Sequence, residues 1–459
     1  MRYTLLPLSL LALGVSATAI PAQPVMMTDK SVYDVIKGLG DSMKFQQYLD
    51  KNPDVRSRLQ DLSHKYTVFV PNDKAFEKLP DDLKDSLFMV DNAEFLKYHI
   101  AHGDYAGAGM LTLHTVPSLM HEEDIGDHLQ RIRIDAGLTS TNVNFYAKVL
   151  GTNTDAANGA VHQLDSVLID PPRQGKLLKH FPGDFSTTKL GLEKTHLDQW
   201  LHRQSVRGGT GFIPSNKAWE AVDDDVRNWL FSDQGSDYLR AVLEYHVVFD
   251  RTLYSDTLYF GNDKERRRHH AALPADRVLR IGKRVASDEF LWYVDTAGET
   301  PVCREGAIPG EANAQIGSSC KISFPTVLEK SQLDVEVSRL LGHVTIRLND
   351  KIDVQTMDGI ARDGVLHSID DVMLPCHKDN DHKHKDDKLL KDLSLDDLKK
   401  YLEPFVKHDS RKVGGHNHWM DGAVPHFQNL QEEMTHEHVA ETLEDVKEHI
   451  LHLLDTIEL

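Results

Sequence analysis

One stretch of this chain occurs twice, and it limits what the rest can fold into. Thr67–Leu87 reads TVFVPNDKAFEKLPDDLKDSL, and Thr210–Leu230 reads TGFIPSNKAWEAVDDDVRNWL, aligned without a gap at an offset of 143 (210 − 67). Thr67 and Thr210, Phe69 and Phe212, Pro71 and Pro214, Ala75 and Ala218, and Glu77 and Glu220 are identical pairs, and Phe76 and Trp219 are both aromatic. A repeat of this length marks a duplicated domain. Each copy reads as a short apolar strand closed by a proline, which cannot donate to a ladder. Good helix-capping residues follow, and then a helix start that carries an aromatic plug.

Two fainter echoes keep the same order. Tyr98-His99 returns as Tyr245-His246 at an offset of 147 (246 − 99), and GAVHQLDSV from Gly159 returns as GVLHSIDDV from Gly364 at an offset of 205 (364 − 159). The growing offset implies two homologous domains, the second with an insertion near 258–325. A linker is expected over 173–184, and Leu197, Trp200 and Leu201 read as the lead-in helix of the second domain. Helices are expected at Ser31–Leu39 and Phe95–Ile100 and strands at Arg131–Ile134 and Val143–Val149, with Ala160–Ile169 closing the first domain. Inside the insertion, Phe290–Val294 reads as a strand and Lys264–His270 (KERRRHH) as a solvated basic loop.

These motifs, TVFVPNDKAF, then YH, then NGAVHQLDSVLIDPP, closely resemble the fasciclin domain. The resemblance covers about 28–172 and, more loosely, 185–375. It implies two tandem α+β domains, each a short-stranded β-sandwich or wedge with packed helices. The motif residues Pro71, Asp73, Phe76, Tyr98, His99, Gly159, His162, Asp165, Pro214, Asn216, Trp219, Tyr245, His246, Gly364, His367 and Asp370 are read as structural. The four histidines sit in apolar runs, where a buried, neutral, hydrogen-bonded ring is the ordinary case. The resemblance also places the Tyr-His histidine near the position of Asp73 and Asn216, so a charge-assisted pair between Asp73 and His99 is expected. Integrin recognition in the family's matrix proteins is associated with an Asp-Ile pair before the closing motif. Asn153-Thr154 and Asp358-Gly359 stand there instead, so integrin binding is not carried over.

Charge and compartment narrow the partners. A formal net charge of −19 over 459 residues argues against nucleic acid and anionic membrane surfaces. Arg2, the short apolar run Leu5–Val15 and Ala17-Thr18-Ala19 read as a secretory signal over residues 1–19, with no membrane span. In that compartment Cys303 and Cys320 are the expected disulfide, which leaves Cys376 outside it. No nucleophile elbow, metalloprotease helix or phosphate-binding loop occurs in the sequence.

Beyond 375 the composition changes, with 11 of the chain's 26 histidines in this tail. His377–Lys388 has nothing apolar to bury and reads as disordered. Ser394 caps a helix with Leu395, Leu398, Tyr401 and Leu402 on one face, expected to end at Pro404. A final amphipathic helix over 435–457 carries Val439, Leu443, Val446, Ile450, Leu453 and Ile457. Three pairs, His382 with His384, His416 with His418, and His436 with His438, are weak candidates for transition metal. The resulting expectation is a secreted, non-enzymatic adhesion, matrix or cell-wall protein without a cofactor, or one held in a lumen such as the vacuole. Its partner would be an extracellular protein or glycan, with the oligomeric state left open. The alternative is extracellular or luminal metal binding by the tail.

Overall fold

The computed structural model describes residues 29–79, 93–106, 110, 114–137, 140–198, 208–256, 258–260, 302–304, 318–340, 343–375 and 389–410. The expected signal segment, the basic run at 264–270, Phe290–Val294, Cys376 and the final helix lie outside the described residues. So do all six tail histidines expected to bind metal weakly: His382, His384, His416, His418, His436 and His438.

The first domain is a closed barrel of β1 (Tyr66–Pro71), β2 (Ile100–His102), β3 (Thr115–Glu122), β4 (His128–Ala136), β5 (Thr141–Val143), β6 (Ala147–Ala156) and β7 (Gly159–Leu164). The repeated strand β1 closes the barrel, antiparallel to β2 and parallel to β7. Strand residues alternate faces, so β1 serves two cores. Val68 and Val70 join Phe45, Leu49, Phe76 and Phe95 under the helices, while Phe69 joins Val116, Ile132 and Leu164 inside the barrel. Burial on both faces is why this strand reads as a continuous apolar run.

The second domain repeats the plan with an open sheet of eight strands. β8 (Gly209–Pro214) lies between β9 (Val247–Phe249) and, in parallel, β17 (Gly364–Ile369). β10 (Arg251–Leu253) and β11 (Leu258–Phe260) form a separate antiparallel ribbon. β12 (Val302–Arg304), β13 (Ser318–Pro325), β14 (Gln332–Leu340), β15 (His343–Leu348) and β16 (Ile352–Ala361) extend the sheet in sequence order. Cys303 and Cys320 are directly opposed in the antiparallel register of β12 and β13.

Local chemistry explains the repeated strand-to-helix corner. After Pro71, Asn72 accepts the Ala75 N–H at 2.8 Å; after Pro214, the Ser215 hydroxyl accepts the Ala218 N–H at 3.3 Å. Each cap satisfies one of the donors that a helix start leaves without a partner.

Four expectations are corrected. The stretch 173–184 is mostly helical, with Gln174–Lys179 followed by Pro182–Lys194. Pro182 occupies the first turn, where its missing N–H costs nothing. That second helix, not one around Leu197, is the lead-in of the second domain; Leu197 is buried just past its end, and Trp200 and Leu201 lie outside the described residues. Val143–Val149 is not one strand, because Asn144 and Phe145 turn the chain with φ of 50° and 67°. The helix capped by Ser394 runs Leu395–Ser410 through Pro404. Its Leu398 and Leu402 are fully buried against the second domain, and Phe405 packs against both of that domain's cores, so packing offsets the bond that proline removes.

Candidate functional site

The motif histidines are internal fasteners. His99 follows the helix Ala93–Tyr98; its Nδ1 donates to Phe95 O at 2.8 Å, and its Nε2 accepts the Leu168 N–H at 3.0 Å. His246 follows Ser236–Tyr245 in the same way, with Nδ1 on Val242 O at 2.7 Å and Nε2 on the Met373 N–H at 3.0 Å. Each ring therefore ties a helix end to the segment that leaves the domain's last strand. A ring that donates once and accepts once is neutral. Burial pushes both imidazoles down to about 4.

The expected pairing of Asp73 with His99 is overturned. Both nitrogens of His99 are committed to backbone groups, and Asp73 instead accepts the Lys44 N–H at 2.8 Å. Asn216 accepts the Thr187 N–H at 3.0 Å, so both residues pin their domain's lead-in helix at the same offset of 143 (216 − 73, 187 − 44).

The second histidine of each domain lies beside the repeated strand. His162 is opposite Phe69 in the parallel register and His367 is opposite Phe212, and each pair is stacked, with ring centroids 5.7 Å and 5.4 Å apart. Their Nε2 atoms donate to Tyr105 O at 2.8 Å and Leu253 O at 2.7 Å. Burial pushes both rings below the usual histidine value. Asp165 accepts the Lys148 N–H at 2.9 Å, and Asp370 accepts from the Ser215 hydroxyl at 2.7 Å. Phe76 stacks on Tyr48 with centroids 6.0 Å apart, and Trp219 donates to Thr188 Oγ1 at 2.7 Å.

One repeated fastener was missed in the sequence. Asn144 Nδ2 donates to the Tyr98 hydroxyl at 2.8 Å, and Asn349 Nδ2 donates to the Tyr245 hydroxyl at 3.0 Å. Both asparagines have positive φ, 50° and 48°. Their separation of 205 (349 − 144) equals that of Gly159 and Gly364, so that spacing was the available signal.

Ser255, Asp358 and His367 also lie together, in a combination that invites comparison with a nucleophilic triad. The Ser255 hydroxyl donates to the Asp358 carboxylate, not to the imidazole, and His367 Nε2 is spent on Leu253 O. All three are at most 1% exposed, so no substrate can reach them in this conformation. Among the described residues, no cluster of three His, Cys, Asp or Glu is placed to hold a metal, and no helix is long and apolar enough to cross a membrane. The candidate metal ligands of the tail, His382, His384, His416, His418, His436 and His438, are not among those residues.

The polar chemistry that does concentrate is at the seam between the domains. Arg131 of β4 pairs with Asp256, at 4% and 6% side-chain exposure, while Thr115 donates to that carboxylate and accepts from Arg131 Nε at 2.9 Å. Gln130 donates to Ala361 O at 3.1 Å, and Arg133 to Met357 O at 3.2 Å. Arg173, in the connector, reaches Asp124 of the first domain at 2.6 Å and Asp363 of the second at 3.6 Å. Arg362 reaches back to Glu122 at 3.1 Å and Asp124 at 3.5 Å.

Two consecutive α+β modules, fastened by the same histidine, tyrosine and glycine positions, define a tandem of one domain type. The fasciclin domain model matches residues 40–170 and 183–278. The chain belongs to the fasciclin family and carries two such domains in tandem. It is 26% identical over 415 residues to the aurofusarin biosynthesis cluster protein S of Gibberella zeae, covering 85% of this chain and 89% of that protein. It is 28% identical over 191 residues to stabilin-2 of Mus musculus, covering 40% of this chain and 7% of stabilin-2. It is 23% identical over 228 residues to the transforming growth factor-beta-induced protein ig-h3 of Sus scrofa, covering 49% and 32%. The chain thus spans most of the fungal relative but under a third of either animal one. A FAS1 domain pair from the insect cell adhesion molecule Fasciclin I aligns at 18% identity and a TM-score of 0.32, covering 75% of this chain and 99% of that one.

Proposed function

We propose that the protein is a secreted, non-enzymatic adhesion-type protein that presents its two fasciclin domains to an extracellular protein or glycan. The observation that carries this reading is the commitment of the motif histidines to backbone groups. They hold the scaffold together, which leaves binding to the exterior. The test is a binding screen of the full chain against immobilised matrix proteins, glycans and cell walls. Saturable binding that survives in His162→Gln, provided this variant folds, supports the reading. Turnover of an ester, peptide or glycoside substrate, abolished in the same variant, would replace it with an enzymatic one.

A second reading comes from the relative matched over most of its length. Its name places it with a biosynthesis cluster, so an accessory role beside an extracellular biosynthetic step is the alternative for this chain. Metal capture by the tail pairs His382 with His384, His416 with His418, and His436 with His438 is a further alternative. Metal titration of the full chain against a form ending at residue 375 tests it.

We also infer a disulfide between Cys303 and Cys320. Directly opposed residues of an antiparallel pair have Cα atoms about 4.5–5.5 Å apart, inside the span of about 4.4–6.8 Å that a disulfide bridges. The bond should stabilise the inserted hairpin by about 3 kcal/mol. Peptide mapping without reductant is expected to recover these two cysteines linked; a link from either to Cys376 would overturn the assignment.

A further inference from the structure

We propose that the seam between the two domains is a charge-imbalanced latch that closes more firmly as the medium acidifies from neutral. Among the described residues of this cluster, Glu122, Asp124 and Asp363 face only two guanidiniums, Arg173 and Arg362. The carboxylates come from both sides: Glu122 from the end of β3 and Asp124 from the turn after it, Asp363 from the turn between β16 and β17. Asp170 adds further negative field at Arg362. The separate Arg131–Asp256 pair is balanced and contributes no spare cation.

In the closed seam two of these carboxylates are held out of water. Glu122 is 4% exposed and Asp363 8%. A carboxylate in excess of its counter-charges has to be desolvated without full repayment by an ion pair. Taking up one proton removes that excess while leaving each guanidinium a charged partner, because Asp124 serves both. Asp363 is the group best placed to take it. Its Oδ1 accepts the Gln174 N–H at 2.8 Å, and Arg173 stands off at 3.6 Å. Burial raises its carboxyl to about 6, against an ordinary value of 3.8, and burial also raises Glu122. The closed seam therefore holds the proton more tightly than an open seam. Mass action then favours closure below pH 6, and the advantage is lost as pH rises through 6.

Hydrogen exchange of the full chain tests this at two amides that span the seam. The Arg362 N–H donates to Pro172 O at 2.9 Å, and the Gly208 N–H donates to Asp124 O at 2.5 Å. After correction for intrinsic exchange, their opening should be about fourfold rarer at pH 5.5 than at pH 7.5. Asp363→Asn keeps the shape and the hydrogen bond but cannot titrate, so its opening should be rare and equal at both pH values. Glu122→Gln is expected to lower the wild-type response without removing it. The Phe69 N–H, deep in the first domain, reports global unfolding and should not become better protected in acid. Equal or greater opening at pH 5.5 in the wild type overturns the latch. So does an undiminished response in Asp363→Asn, or an Arg362 amide that merely follows Phe69.

Discussion

Replacing Gly159 with alanine is expected to prevent the first domain from folding stably, and Gly364→Ala should do the same to the second. These glycines open β7 and β17, beside the repeated strands β1 and β8. Their φ values are +139° and +148°, a region essentially closed to residues with a side chain. A Cβ on Gly159 would lie 1.7 Å from Tyr66 O, and one on Gly364 would lie 2.2 Å from Gly209 O. The nearest atoms in the way are backbone of the paired repeated strand, with Gln174 Nε2 also 2.3 Å from the Gly364 position, so neither side can yield without breaking the parallel pairing. The cost should be at least about 4 kcal/mol, a large share of any domain's stability. Gly183→Ala is the matched control, since nothing lies within 4 Å of its Cβ position and the site is in the first turn of a helix. That change should stabilise by a few tenths to about 1 kcal/mol. Urea denaturation of the three variants checks the contrast. A Gly159→Ala protein that melts like the wild type would show that the strand pairing at Tyr66 is wrong.

The same positions show how much of this fold was legible in the sequence. The strand-proline-cap corner was readable because each of its residues has one local job, and Asn72 and Ser215 perform it as the sequence suggests. The motif histidines were readable as buried because their neighbours are apolar. Their partners were not, since the bonds from His99 and His246 run to main-chain groups that carry no sequence signature. The charge-assisted partner expected for His99 failed for that reason. The connector was misread because Gly175, Pro182 and Gly183 look like linker residues, yet Pro182 begins a helix. Gly191 in that helix lets the side chains of Leu243 and Phe231 approach. The seam left no trace at all. Arg362 and Glu122 are 240 positions apart, and no periodicity relates charges that meet only after two domains dock.

Acidification should unfold this protein through its histidine fasteners. His99 and His246 are neutral and fully enclosed, each donating from Nδ1 and accepting at Nε2. A proton on Nε2 would set two donors face to face, the ring's own and the Leu168 or Met373 N–H. Their folded values of about 4 lie below the ordinary value of 6.5, so the unfolded chain binds these protons first. The stability the nodes contribute is intact above pH 6.5, declines as pH falls from there, and is fully lost below pH 4. That range corresponds to about 3 kcal/mol for each ring. Two rings titrating together give a slope of about 2.4 kcal/mol per pH unit near pH 5. His162 and His367 add to it in the same direction. Asp363 opposes it, because its folded value is raised and the folded state takes up that proton first. Asp363→Asn should therefore lose stability more steeply in acid than the wild type, although its seam no longer responds to pH. Urea midpoints from pH 7.5 to 4.5 measure the slope. His99→Ala should be less stable at pH 7.5 and should show a shallower decline, because one of the titrating rings is gone. Resonances assigned to His99 and His246 that titrate near 6.5 in the folded protein, or an unchanged slope in His99→Ala, would show that these rings are not the acid-sensitive groups.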